Sequence, residues 1–172
     1  MKKIFMALML CFVSIVGFGQ ISVKSNTYGS TRIDDNKCLY SGIYGKIRQI
    51  DTVYYICVND LKSDNILYVK LGVTKEEVIN GLTTLDNIFD NLYNKEYVSF
   101  NDGLQDMILY KWGGVPYFSN GTAEYVHQFL KRSTLSGLFG GRGSISREGD
   151  KMIGCLDTAS SFKKAINALE NE

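Results

Sequence analysis

Apolar runs and polar breaks alternate along the chain in a pattern that predicts strands first and a helix after them. Val53-Tyr54-Tyr55-Ile56-Cys57-Val58 is rich in β formers and apolar on both faces, which suits a central strand. Residues 59–65 are rich in Asn, Asp and Ser and predict a turn. Residues 66–71 return as a second strand, with Leu67, Val69 and Leu71 on one side. Thr74-Lys75-Glu76-Glu77 then matches a capping box, in which threonine and glutamate satisfy the free amides of a helix start. Val78, Leu82, Leu85, Phe89 and Leu92 recur at helical spacing, so the helix runs to about Asn91 with one apolar stripe.

The plan recurs twice. Tyr97-Val98-Ser99-Phe100, a Gly-containing turn and residues 104–112 predict a hairpin. Gly113-Gly114 reverses the chain into Val115-Pro116-Tyr117-Phe118, which Pro116 marks as an edge strand because proline lacks the ladder N–H. A second helix begins near Thr122 and turns Ala123, Val126, Phe129 and Leu130 inward. Residues 144–147 and 151–156 predict a last hairpin. Asp157 or Thr158 then caps a helix with Phe162, Ala165, Ile166 and Leu169 on its apolar face. Strand pairs before each helix predict an α+β fold: a mostly antiparallel sheet of successive hairpins, each followed by a helix packed on one face.

Residues 1–19 differ in kind. Lys2 and Lys3 precede an apolar run from Ile4 to Val16 that is too short to span a bilayer, and Gly17 and Gly19 suit a signal-peptidase cleft. This is the pattern of a cleaved secretory signal, and it places the protein in a periplasm or outside the cell. Residues 20–46 form a Gly/Tyr-rich arm, and 47–172 a single domain. No later segment is apolar enough for a stable membrane span after cleavage. The chain holds 19 basic and 18 acidic residues. Removing the two leader lysines leaves a small negative balance with dispersed charge, which excludes nucleic acid as a partner.

Three cysteines follow the leader: Cys38, Cys57 and Cys155. In an oxidising compartment one pair can close, and Cys38 with Cys57 would close a short loop. The alternative is that all three are small buried hydrophobes. Three cysteines and His127 also make a zinc ligand set, but they lack the close Cys-x₂-Cys pairs of such sites, so no metal and no cofactor is expected. A secreted hydrolase would need Cys38, the one cysteine in a polar setting, beside His127, the only histidine. His127 falls mid-helix beside the apolar stripe, which reads as structural.

Gly137-Leu138-Phe139-Gly140-Gly141-Arg142-Gly143-Ser144 could cradle an anion with help from Arg142, but it lacks the P-loop ending and reads as a connector. Asp34-Asp35-Asn36 lacks the spaced ligands of a calcium loop. Ile108, Tyr110 and Trp112 share one face of a strand, opposite Met107 and Leu109. Left open, that face makes an aromatic platform; covered, it is core, and alternation does not choose between the two.

With charge balanced and no nucleophile or phosphate motif, the expectation is a non-catalytic exported interaction domain. Tyr110, Trp112, Tyr40, Tyr44 and Arg142 are its candidate binding residues, and a protein or carbohydrate its partner. The alternatives are the Cys38/His127 hydrolase or an inhibitor of an envelope enzyme. The first check is the intact mass of the exported protein: the mature chain should begin at Gln20, and a retained leader would contradict the export reading.

Overall fold

The computed structural model describes residues 37–139 and 150–171, without the side chains of 134–139. Their order is β1 (Lys37–Ser41), β2 (Gly45–Ile50), β3 (Val53–Asn59), β4 (Ile66–Gly72), α1 (Lys75–Asn91), β5 (Tyr97–Asn101), β6 (Asp106–Trp112), β7 (Val115–Ser119), α2 (Ala123–Phe139), β8 (Ile153–Cys155) and α3 (Ser160–Glu170). The strands form two antiparallel sheets, β1-β2-β3-β4 and β5-β6-β7-β8, so the fold is α+β. Among the described residues no helix is long and apolar enough to cross a membrane. The expected leader, the expected arm up to Asn36 and Asp34-Asp35-Asn36 lie outside the described residues, as do Arg142 and the strand expected at 144–147.

Local signals become local structure at α1. The Thr74 hydroxyl accepts from the Glu77 amide at 3.2 Å, and the Glu77 carboxylate accepts from the Val73 and Thr74 amides at 2.8 and 3.2 Å. Those backbone hydrogen bonds hold the Glu77 carboxyl below its ordinary value. The predicted stripe is buried through Val78, Leu82, Leu85 and Phe89.

One core joins both sheets. Ile47, Ile56, Val58, Leu67 and Val69 of the first sheet meet Met107, Leu109 and Phe118 of the second, with the α1 stripe and Phe162, Ala165 and Leu169 of α3. Phe162 stands edge-on to Phe89 and Phe118. The opposite face of the second sheet is covered by α2, whose Val126, Phe129 and Leu130 pack on Ile108, Tyr110 and Ile153. The second sheet therefore carries helices on both faces, because β6 is apolar on both.

Three local expectations need correction. Residues 37–46 belong to the first sheet rather than to an arm, supplying β1 and the start of β2. β7 is an interior strand, paired to both β6 and β8. It tolerates Pro116 because the Pro116 carbonyl accepts from Leu156 just past the end of β8, so the side lacking a donor faces away from the β6 ladder. Finally, α3 is capped by neither Asp157 nor Thr158: Ala159 stands at its N-cap with no side-chain hydrogen bond.

The two sheets meet where the β3–β4 turn reaches β8. Leu61 donates its amide to the Ile153 carbonyl at 2.8 Å. The Ile153 amide donates to Asp60 Oδ1 at 3.0 Å, and Asp60 Oδ2 accepts from the Ser63 hydroxyl at 2.7 Å. Gly154 fits this junction because it has no side chain: a Cβ there would lie 2.6 Å from the Asn59 carbonyl oxygen. Gly154→Ala should therefore destabilise the protein by about 1–3 kcal/mol, the usual cost of overpacking. Denaturant unfolding reads it directly, and an unchanged midpoint would contradict the close approach.

Candidate functional site

The β1–β2 turn is anchored by hydrogen bonds with residues distant in sequence. The Gly42 amide donates to the Gly45 carbonyl at 2.9 Å, closing a tight turn. Asp157, from beyond β8, then takes the next two amides: Ile43 donates to Oδ2 at 2.9 Å and Tyr44 to Oδ1 at 2.9 Å. The Tyr40 hydroxyl donates to Oδ2 at 2.6 Å. On the carbonyl side, the Asn59 amide donates to Tyr44 O at 2.9 Å and its side-chain amide to Ile43 O at 3.4 Å. Gly42 allows this approach, since a Cβ there would collide with the Asp157 carboxylate.

The electrostatics agree with the geometry. Burial alone would raise the Asp157 carboxyl. Hydrogen bonds from Tyr40, Tyr44 and Ile43, with the Lys164 charge nearby, outweigh that and hold it below its ordinary value. Tyr40 moves the other way, pushed up by burial and by its bond to the carboxylate. The Lys164 ammonium also sits 5.9 Å from the Tyr40 ring centroid. The outcome is a fixed backbone carrying exposed apolar side chains: Ile43 is 81% exposed and Tyr44 48%.

A second group of aromatics lines the outer face of the second sheet. Cross-strand register sets Tyr97 opposite Tyr110, and Tyr110 opposite Tyr117. Tyr97 and Tyr110 stack with centroids 6.4 Å apart, and Trp112 packs beside Tyr110 and His127. The expected platform is thus largely closed. α2 covers Ile108 and Tyr110, leaving Tyr110 2% exposed, while Trp112 stays half-buried under the Lys95 ammonium. Tyr97, which the sequence reading did not single out, is 49% exposed at the open end of the row.

Among the described residues Cys38 and His127, the pair the hydrolase alternative needs, have different partners. His127 Nδ1 lies 2.7 Å from the Tyr110 hydroxyl. Burial pushes that hydroxyl above its ordinary value. Cys38 stands on β1, donating its thiol to the Tyr40 carbonyl at 3.3 Å, and shares no hydrogen-bond or ring partner with His127 among the described residues.

The Cys38–Cys57 bridge does not form, and both thiols are free, as is Cys155. β2 lies between β1 and β3. Strands two apart are separated by about 9.5 Å, beyond the ~7 Å limit for bridged Cα atoms. Burial pushes the Cys57 thiol up, opposed by the Arg48 guanidinium, and pushes Cys155 up to about 11. Among the described residues no group of His, Cys, Asp and Glu gathers to hold a metal.

Comparison with protein-family models finds no match for this chain, and comparisons with curated proteins and with solved structures find none either.

The clamp has a pH signature. A carboxyl whose folded pKa is depressed stabilises the fold above its unfolded value, and that contribution is lost as pH falls through the folded pKa. The Ile43 and Tyr44 amide resonances should stay at their clamped positions down to about pH 4 and move together below it. Asp157→Asn should displace both at neutral pH. A shared midpoint well above pH 4 would contradict the clamp.

Proposed function

We propose that this chain acts outside the cytoplasm as a non-catalytic interaction domain that binds a protein through the Ile43-Tyr44 turn. One observation carries the reading: Ile43 projects 81% of its surface into solvent while its own amide and carbonyl are bonded to Asp157 and Asn59. A lone exposed isoleucine needs no explanation. An isoleucine at the tip of a turn held by residues distant in sequence is preorganised, and a preorganised side chain loses little entropy when it enters a pocket. Tyr44 adds a rigid amphipathic ring beside it. Ile43 has neither a π face nor a hydrogen-bonding group for a sugar, so its chemistry favours an apolar pocket on a protein over a carbohydrate. Export rests on the pattern of residues 1–19.

A photoreactive side chain at position 43 in the exported protein should capture one discrete partner. The same group at Glu124, exposed on α2, should not. Ile43→Ala should weaken binding to that partner by about 2 kcal/mol, roughly thirtyfold, with the unfolding midpoint unchanged. Equal capture from both positions, or none from position 43, would contradict the reading.

A further inference from the structure

Each sheet has two edge strands, and the molecule treats them unequally. β1 carries Lys37, a register break between Cys38 and Tyr40, and α3 packed beside it. The outer groups of β4 are taken by the β5–β6 turn: the Lys70 amide donates to Asp102 Oδ2 at 3.0 Å, and the Tyr68 carbonyl accepts from Gln105 Nε2 at 3.2 Å. β8 is three residues long, and its Ile153 is bonded to Leu61 and Asp60. These are the usual devices that stop a sheet edge from pairing with another chain.

β5 has none of them. Tyr97-Val98-Ser99-Phe100-Asn101 carries no charge, no proline and no register break against β6. Its phase follows from the bonds at its two ends, Lys111 N to Glu96 O at 2.9 Å and Asp102 N to Gln105 O at 3.2 Å. Antiparallel alternation then directs Val98 and Phe100 to β6, and turns the N–H and C=O groups of Tyr97, Ser99 and Asn101 outward. Among the described residues nothing takes those outward groups.

We propose that β5 is a docking edge for an extended segment of a partner protein, which adds antiparallel to it as a further strand. The charges around β5 select the occupant. A second copy pairing about Ser99 would match every outward group, but it would set Glu96 opposite Asp102 of the other copy at both ends. Both carboxylates are held in place, Glu96 by the Tyr93 amide and Asp102 by the Leu104 and Gln105 amides. Like charges fixed opposite each other oppose that pairing. Asp102 and Asp106 instead make the C-terminal end of β5 acidic, with Asp106 directly across from Asn101. An antiparallel partner brings its N-terminal end there, so the fitting segment is neutral and β-forming, with a Lys or Arg leading it. Its residue opposite Tyr97 extends the Tyr97–Tyr110 stack and is best aromatic. This is strand addition, in which backbone bonds give affinity and alternate side chains give specificity. It concerns a different part of the molecule from the Ile43-Tyr44 turn and fails or succeeds separately.

The probe is the capped peptide Lys-Thr-Val-Thr-Val-Tyr, read by amide hydrogen exchange on the whole exported protein. At millimolar peptide, exchange at Tyr97, Ser99 and Asn101 should slow at least tenfold, with Ile43 and Tyr44 unaffected. Reversing the leading Lys to Glu should weaken binding at least fivefold, more so at low salt. Ser99→Pro removes only an outward N–H, so Val98 and Phe100 should stay protected while peptide binding is lost. No slowing at the three amides, or equal binding by Ser99→Pro, would overturn the proposal. Slowing that grows with protein concentration in the absence of peptide would overturn it in favour of self-pairing.

Discussion

The hydrogen bonds between the Asp60-Leu61 turn and Ile153 set the position of everything that follows them. Each sheet has an apolar face that would be wet if the sheet stood alone, and the shared core removes both faces from water together. The junction makes this work through polar groups that bury well. Asp60 is largely buried, yet its two oxygens are taken by the Ile153 amide and the Ser63 hydroxyl, so the carboxylate carries no unmet demand. Gly154 lets the second sheet come within contact of the Asn59 backbone.

That junction also explains the candidate site. Asp157 lies three residues beyond Gly154, so the seam delivers its carboxylate to the β1–β2 turn. The carboxylate is then absent from α3, which begins at Ser160 behind an Ala159 N-cap with no side-chain bond. A missing cap costs about 1 kcal/mol. The residue that could have supplied it fixes a turn instead, and that turn displays Ile43 and Tyr44. The second sheet shows a comparable economy. α2 seals the middle of its aromatic row and leaves Tyr97 at the open end, beside the one strand edge among the described residues that lacks a protective device.

What was legible in the sequence is what local rules govern. The capping box at Thr74, the α1 stripe, the β3–β4 hairpin and the inward faces of α2 and α3 follow from spacing and propensity, and each is present. Tyr40 and Tyr44 could be singled out by type, but the clamp that makes their turn distinctive joins residues 40–44 to 157 through chain topology, which periodicity does not carry. The same limit applies to the β6 faces: alternation separates Met107 and Leu109 from Ile108 and Tyr110, and only α2 decides that both sets are covered. Asp157 looked like a cap because Asp before a helix usually is one. The Cys38–Cys57 pairing was plausible by loop length and is excluded by the strand between them.

The central claim is that residues 42–45 form a rigid support for an exposed apolar side chain. Backbone ¹⁵N relaxation of the full chain tests it most directly. Order parameters near ~0.85 at Ile43 and Tyr44, equal to those of β2 and β3, are the expected result. Values below ~0.6 would mean the turn moves freely despite Asp157, and the account of a preorganised recognition element would be wrong.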